Sequence, residues 1–136
     1  MSRQREAALQ KQCHALMAKH SPEHALFFSI PNEGRRSGRN GAEMNRMGRL
    51  KGVADYFILT SQCQLFIEFK VDKDAFGGKR TYQSPEQKAF EARCVGVRAM
   101  YRVVRSVEEF LDACWMIGLL TNVSVTAGGC IRVGAP

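Results

Sequence analysis

Hydrophobic positions recur at helical spacing near the start of the chain. A helix is predicted over residues 2–19 because four apolar side chains share one of its faces: Leu9, Cys13, Leu16 and Met17. Glu6 lies within about 80° of all four around the helix axis, so its carboxylate is expected to point toward the core. The helix dipole alone also favours a glutamate in the first turn, and both interpretations stay open.

Further along, short apolar runs alternate with helix-start signals. Strands are predicted over 25–30, 53–60, 64–71 and 97–104. The first is expected to be buried and to end at Pro31, and the second and third to form an antiparallel hairpin. Helices are expected to begin at the capping sequences Ser84-Pro85-Glu86-Gln87 and Ser106-Val107-Glu108-Glu109, and to end at Gly96 and near Gly118. The predicted order is αβββαβα.

Two glycine-containing basic segments interrupt this pattern. Residues 31–52 hold five glycines and show almost no apolar periodicity, so a flexible basic loop is expected there. It exceeds the usual limit of about 12–15 residues for an unstructured connection, and such loops are often functional, although a merely solvated charged loop is the alternative. The basic residues of this loop and of a second one over 72–83 are candidates for nucleic-acid binding: Arg35, Arg36, Arg39, Arg46, Arg49, Lys51, Lys79 and Arg80.

Composition narrows the class of protein. The 136 residues fit one domain, assigned to 1–120, with a tail over 121–136 that shows weak strand signals at 123–125 and 131–133. A formal charge of +7 favours a polyanionic partner. Five scattered cysteines without a C-x-x-C pair argue against a zinc site and favour a reduced, intracellular setting. No run of about 18 apolar residues exists, so membrane insertion is not expected.

Three charged residues lie where the core should be. Asp55 falls within one apolar run, and Glu68 and Lys70 fall within another, Leu-Phe-Ile-Glu-Phe-Lys-Val. Buried charges cost several kcal/mol unless they are paired or bind a metal, and such local conflicts tend to mark functional sites. Glu68 and Lys70 project from one face of their strand, and Asp55 on the neighbouring strand can reach the same patch. The structural alternative is an acidic residue paired with lysine at a strand edge.

Two carboxylates on adjacent strands suit a hard divalent cation. Mg²⁺ and Mn²⁺ prefer oxygen ligands and leave room for water and a phosphate oxygen. A cation so placed polarises a phosphate, and Lys70 is placed to orient the attacking water or to neutralise charge in the transition state. The residues therefore predict phosphodiester hydrolysis.

At this point the sequence resembles a known family. The spacing Asp55…Glu68-x-Lys70, preceded by Lys51-Gly52-Val53 and followed by Gln83-Ser84-Pro85-Glu86-Gln87, is similar to the VRR-NUC branch of the PD-(D/E)XK nucleases, in its stand-alone phage or bacterial form. Val103-Val104-Arg105-Ser106 resembles the motif that gives the branch its name. The resemblance implies an α/β, restriction-endonuclease-like core with a central mixed sheet flanked by helices. One departure is Ala54, where the family often has proline.

The resemblance also implies roles for individual residues. It places a metal ion on the side chains of Asp55 and Glu68 and on the backbone carbonyl of Phe69. Lys70 becomes the catalytic lysine, Gln87 an active-site glutamine that positions substrate or water, and Glu6 the acidic residue of the first helix. Gln87 at the third helical position is also a common capping residue, so a structural role is the alternative.

These inferences predict a Mg²⁺- or Mn²⁺-dependent DNA endonuclease that cleaves branched DNA, such as four-way junctions or flaps, in the cytoplasm of a bacterial cell. Symmetric cleavage needs two active sites, so a homodimer is expected. No recognition helix or aromatic stacking platform is evident, and base-specific readout is not expected. The other hypotheses are a noncatalytic basic nucleic-acid-binding module and a sequence-specific restriction-type endonuclease.

Overall fold

A computed structural model of the chain describes residues 2–31, 38–72 and 81–135. The main sheet is built from β1 (Leu26–Ser29), β2 (Tyr56–Leu59), β3 (Gln64–Phe69) and β4 (Met100–Val104). The helices of the described residues are α1 (Ser2–His20), α2 (Gly38–Arg46), α3 (Pro85–Gly96) and α4 (Val107–Met116). A small hairpin at the end of the chain pairs β5 (Val123–Val125) with β6 (Ile131–Val133), where the tail showed its weak strand signals.

The sheet has the order β1-β2-β3-β4 and is mixed. The pairs β1–β2 and β2–β3 are antiparallel, which confirms the predicted hairpin, whereas β3 and β4 run parallel and are joined through α3. Parallel neighbours need such a crossover because a tight turn cannot connect them. The fold is therefore α/β with a central mixed sheet flanked by helices, as expected of a restriction-endonuclease-like core.

The two faces of the sheet carry separate hydrophobic clusters. On one face α1 and α4 pack against the inward side chains of the strands, around Met17, Tyr56, Ile67 and Phe110. On the other face Phe90 of α3 leads a smaller cluster against β3 and β4. Because side chains alternate along a strand, Glu68 projects from β3 on the α3 face, while Ile67 and Phe69 project into the larger core.

The predicted helix starts are confirmed by capping contacts. The Ser84 side chain accepts a hydrogen bond from Gln87 N, and the Gln87 side chain accepts one from Ser84 N, which completes a capping box at the start of α3. Ser106 caps α4 in the same way by accepting from Glu109 N. The Glu109 carboxylate accepts from Arg105 N, one residue earlier than a regular box requires.

The prediction of a buried first strand is wrong. β1 is shorter than the apolar run, and Leu26 and Phe28 in it are 56% and 44% exposed. The reason is position in the sheet: β1 is an edge strand, and the buried side chains of α3 contact β3 and β4 instead. Apolar content alone does not distinguish an edge strand from a central one.

The prediction of an unstructured loop over 31–52 is also wrong, because α2 occupies part of that segment and adds one helix to the predicted order. Its described side chains are largely exposed, so the helix buries no apolar stripe against the core. A contact between Arg46 and Glu43, one turn apart, stabilises it locally, and Arg49 donates to Asn45 just beyond its end. Among the helices described, none combines the length and the apolar character that crossing a bilayer requires.

Candidate active site

Glu68 is the centre of a polar cluster on the α3 face of the sheet. Only 3% of it is exposed, which makes it the single buried charged residue in the described part of the chain. Gln87 donates from Nε2 to Glu68 Oε1 over 2.6 Å, and Lys70 Nζ lies 3.8 Å from the same oxygen. The second oxygen, Oε2, is buried and has no hydrogen-bond partner among the described residues. An acceptor in that state is ready for a donor or a cation.

The surroundings of Glu68 disfavour its negative charge. Its pKa is raised to about 8, first because burial removes the carboxylate from water and then because the carboxylate of Asp55 lies nearby. The Lys70 ammonium opposes this shift and lowers the pKa, whereas a hydrogen bond between the carboxyl groups of Glu68 and Asp55 and, to a smaller extent, the charge of Glu6 raise it. Two carboxylates are thus held close together at an electrostatic cost, an arrangement that a bound cation relieves.

Asp55 lies one residue before β2, and the prediction that it lies within that strand is wrong. Phe69 N donates to Asp55 Oδ2 over 2.9 Å, and Ile30 N donates to the Asp55 carbonyl over 2.8 Å. The aspartate side chain therefore takes the place of a backbone acceptor, and strand pairing stops at Tyr56. These two bonds fix the carboxylate where β1, β2 and β3 meet, beside Glu68.

Gln87 connects α3 to the buried carboxylate through both ends of its amide. Oε1 accepts from Ser84 N over 2.8 Å, and Nε2 donates to Glu68. The structural and the active-site interpretations of this residue are therefore compatible, because capping holds the amide in one orientation and aims its donor at Glu68.

The predicted site residues line one open cavity of about 560 Å³. Lys70 follows β3, is held by its backbone N–H to Val104 O, and has a side chain that is 14% exposed. Glu6 reaches the cavity from α1, in agreement with its expected inward direction. The structure thus brings together five predicted residues: Glu6, Asp55, Glu68, Lys70 and Gln87. Phe69, the sixth predicted residue, lies in the core, and its backbone N–H donates to the Asp55 carboxylate. It lines a smaller adjoining cavity.

The predicted nucleic-acid-binding residues divide into three groups. Arg49 and Lys51 line the cavity. Arg46 is exposed on α2 and paired with Glu43, and it does not line the cavity; Arg39 lies in the same helix. The remaining four candidates lie outside the described residues: Arg35, Arg36, Lys79 and Arg80.

The fold was compared with those of known proteins. No family model and no curated protein sequence matches the chain. A solved structure described as a VRR_NUC domain protein matches it with a TM-score of 0.62 over 82% of this chain and 85% of that one, at 16% sequence identity. The chain has a VRR_NUC-like fold. At this identity the likeness concerns the fold, and it agrees with the architecture that the Asp55…Glu68-x-Lys70 resemblance implied.

The side-chain and backbone oxygens at the cavity decide which kind of metal ion would fit there. Within 2–31, 38–72 and 81–135, no three acidic, histidine or cysteine side chains form a ready-made metal cage. The chemistry present is a carboxylate pair with one unsatisfied buried oxygen, Glu68 Oε2, next to an open cavity. Mg²⁺ is commonly held by one or two carboxylates, with water and substrate phosphate completing its shell. The residues therefore fit an oxygen-liganded divalent cation, and they do not fit zinc.

Several residues that line the cavity were not predicted as site residues, and two of them, Arg3 and Gly52, explain part of its geometry. Arg3 lies one helical turn before Glu6 on α1, so the two side chains share a face of the helix. The spacing could therefore have predicted that Arg3 lines the same cavity as Glu6. Gly52 left a weaker signal: its φ is +79°, and a Cβ built on it would come within 2.3 Å of the Glu86 carbonyl group. Glycine is required there because the backbone before β2 touches the start of α3. This contact holds Lys51 and Gln87 on the same cavity.

Arg105, within the segment that resembles the VRR motif, connects two stretches of chain. It donates to the Thr81 carbonyl over 2.6 Å, and its other terminal nitrogen lies 3.6 Å from Asp72 Oδ1. Thr81 in turn donates from its hydroxyl to Val71 O over 2.6 Å. Asp72 and Thr81 flank residues 73–80, so Arg105 acts at the base of that segment, and Thr81 lines the cavity.

Proposed function

We propose that this protein is a metal-dependent endonuclease that hydrolyses phosphodiester bonds in branched DNA. The observation that carries the proposal is the buried, incompletely satisfied carboxylate of Glu68 beside Asp55, with Lys70 and Gln87 in contact with it. A bound divalent cation would offset the repulsion between the two carboxylates and would supply a partner for the buried oxygen of Glu68. The VRR_NUC-like fold supports the same activity.

Each residue has a role that follows from its surroundings. Asp55 and Glu68, with the Phe69 carbonyl, would hold Mg²⁺ or Mn²⁺, which when bound supplies Lewis-acid polarisation of the phosphate. Lys70 donates to the phosphate oxygens and neutralises the charge that develops on them during attack by water. Gln87 keeps Glu68 in one rotamer through its short hydrogen bond. Glu6, across the cavity, is placed to accept a proton from the attacking water.

The proposed substrate is DNA that departs from a continuous duplex. Arg3, Arg49 and Lys51 give the cavity a positively charged rim suited to phosphates. The cavity is small and open, and contacts from these basic side chains to phosphates carry no information on base sequence. We therefore propose selection by DNA shape, at four-way junctions or flaps. A homodimer would supply the second active site that symmetric cleavage needs, and light scattering after size-exclusion chromatography measures it.

The test is cleavage of a labelled four-way junction, a flap and a linear duplex side by side, with Mg²⁺ and with EDTA. Wild-type protein is expected to cut the junction or the flap only with the metal. Asp55→Asn and Lys70→Met are expected to lower the rate by at least about 10³-fold, as removal of transition-state stabilisation does, while DNA binding persists.

Matched controls come from exposed residues outside the cavity. Asp112→Asn removes a carboxylate on α4, and Lys88→Met removes an ammonium on α3; both are expected to leave the rate within twofold of wild type. Activity retained in Asp55→Asn would contradict the proposal. DNA binding without cleavage under any metal would favour the noncatalytic module, and discrete products from a linear plasmid would favour a restriction-type enzyme.

A further inference from the structure

A groove continues from the catalytic cavity between α1 and the edge strand β1. A second cavity of about 230 Å³ shares three lining residues with the catalytic one: Arg3, Glu6 and Asp55. A third cavity, of about 670 Å³, shares three with the second: Ala7, Gln10 and Ser29. The three spaces are therefore contiguous, and the outer two are called the α1–β1 groove below.

The groove is lined by a face of α1 that does not pack in the core. Arg3, Ala7, Gln10 and His14 recur every three or four residues and form one stripe, with Lys11 beside it. The core-facing positions of the same helix are Leu9, Cys13 and Met17. The side chains of this second stripe are exposed or half-buried, so part of their surface is available for a binding role.

The chemistry of the groove changes with distance from the carboxylates. Glu6 and Asp55 lie at the inner end, whereas the residues that line the outer cavity include no aspartate or glutamate. Lys11 and His14 there are exposed, and Gln10 and Ser29 add uncharged hydrogen-bonding groups. The outer cavity is otherwise lined largely by apolar and aromatic side chains, with Phe27 and Phe28 near His14, and Lys11 supplies its positive charge. Aromatic side chains with a lysine beside them suit unpaired bases and an adjacent phosphate.

His14 is held in place for contact with such a ligand. Its Nδ1 lies 2.8 Å from the hydroxyl of Tyr56, which is buried in the core, and its ring packs against Phe27 at a centroid distance of 5.7 Å. Nε2 makes no hydrogen bond to a described residue and is left for a phosphate or a base. An exposed imidazole that is anchored by a core tyrosine and an aromatic neighbour provides a stacking surface at little entropic cost.

We propose that the α1–β1 groove binds a single-stranded segment of nucleic acid that leaves the cleavage site. The proposal rests on the function proposed above and deepens it by naming the feature of branched DNA that is recognised. Lys11 contacts the phosphates of that segment, and His14 stacks on one of its bases. The selectivity for branched or flapped DNA then comes from the unpaired strand and does not require readout of base sequence.

Dimensions favour a single strand over a duplex. The outer cavity, of about 670 Å³, has the size that holds a drug-sized molecule. It therefore admits one or two nucleotides of a single strand but not a double helix. From Arg3 to His14 the helix rises about 16 Å, which corresponds to about five stacked nucleotides. A peptide strand pairing with the edge of β1 is the competing occupant, but the aromatic side chains beside Lys11 and the adjoining carboxylate site favour the nucleic acid.

Fluorescence anisotropy in EDTA tests the proposal without cleavage. Three probes are used: a blunt duplex, the same duplex with a single-stranded 5′ extension of about five nucleotides, and the same duplex with a 3′ extension of that length. The double variant Lys11→Ala, His14→Ala is expected to bind one extended probe about tenfold more weakly than wild type and the blunt probe equally well. For that extended probe, the logarithm of the binding constant falls with the logarithm of the salt concentration, and in the single variant Lys11→Ala this slope is expected to be shallower by about 0.7.

The matched control is Lys19→Ala, His24→Ala, which removes the same two residue types at exposed positions outside the groove, and it is expected to bind all three probes like wild type. Circular dichroism verifies that both double variants fold. Extended-probe binding that is unchanged in Lys11→Ala, His14→Ala, or blunt-probe binding that weakens equally, overturns the groove assignment even if the protein cleaves flaps. The expected binding pattern without any cleavage leaves the groove assigned and overturns the nuclease instead.

Discussion

Replacement of Glu68 by glutamine separates the stability of this protein from its activity. The change keeps the shape of the side chain, and the glutamine Oε1 can still accept the hydrogen bond from Gln87. What it removes is a buried negative charge beside Asp55. The variant is expected to be inactive, and the metal-free variant is expected to be more stable than wild type at pH 8.

The magnitude follows from the pKa. The pKa of Glu68 rises from 4.5 to about 8 on folding. Between these values the folded protein binds more protons than the unfolded chain, so wild-type stability falls as pH rises. At 1.36 kcal/mol per unit, the ceiling of this loss is about 5 kcal/mol. Water penetration and relaxation reduce such penalties, so we expect the stability gap to widen by about 2–4 kcal/mol between pH 4.5 and 8.

Urea unfolding in EDTA at several pH values measures the gap directly. The gap between Glu68→Gln and wild type should widen steadily above about pH 4.5 and level off about one pH unit above the folded-state pKa of Glu68. Glu23→Gln, a change at an exposed carboxylate, should show no comparable pH dependence. A gap that is constant across this range, or that narrows with pH, would refute the reasoning about the buried charge.

Two further predictions concern the backbone around the cavity. Gly52→Ala is expected to lower the free energy of unfolding by about 2–4 kcal/mol, because its Cβ meets the Glu86 carbonyl group at a positive φ. Chemical denaturation measures this, and a cost below about 1 kcal/mol would contradict the close contact. Arg105→Ala is expected to cost about 1–2 kcal/mol by removing the bond to Thr81, whereas the exposed Arg102→Ala should be nearly neutral. Equal effects of the two arginine variants in the same assay would contradict that role.

Much of the fold was readable from local signals. The capping sequences at Ser84 and Ser106 placed α3 and α4 within a residue of their observed starts, because capping depends on nearby side chains. The alternating pattern around Glu68 gave the correct faces of β3. Local patterns were sufficient wherever the cause of the structure was itself local.

The errors arose where the cause lay far along the chain. The exposure of β1 depends on its edge position, which sheet order decides. The start of β2 at Tyr56, and not earlier, depends on the bond between Asp55 and the Phe69 amide, fourteen residues away. α2 was missed because its nine residues hold two glycines and only two apolar side chains, Ala42 and Met44, which are too few to form an apolar stripe.

The candidate site shows the same division. A conflict between charge and hydrophobic pattern indicated Asp55, Glu68 and Lys70, and the structure brings them to one cavity. The α1–β1 groove had no counterpart in the sequence reasoning, which found no stacking surface. The anchoring of His14 joins α1 to β2 across 42 positions, and only the tertiary structure shows it.

The central claim is that Asp55 and Glu68 hold a divalent cation, and calorimetric titration of Mn²⁺ at pH 7 tests it most directly. Because the pKa of Glu68 is raised to about 8, a share of the metal-free protein carries a protonated Glu68 at pH 7, so binding should release protons. Titrations in two buffers of different ionisation enthalpy measure that release. Saturable binding with proton release in wild type, and its loss in Asp55→Asn, is the predicted result. Absence of Mn²⁺ binding at millimolar concentration, or equal binding by Asp55→Asn, would contradict the claim.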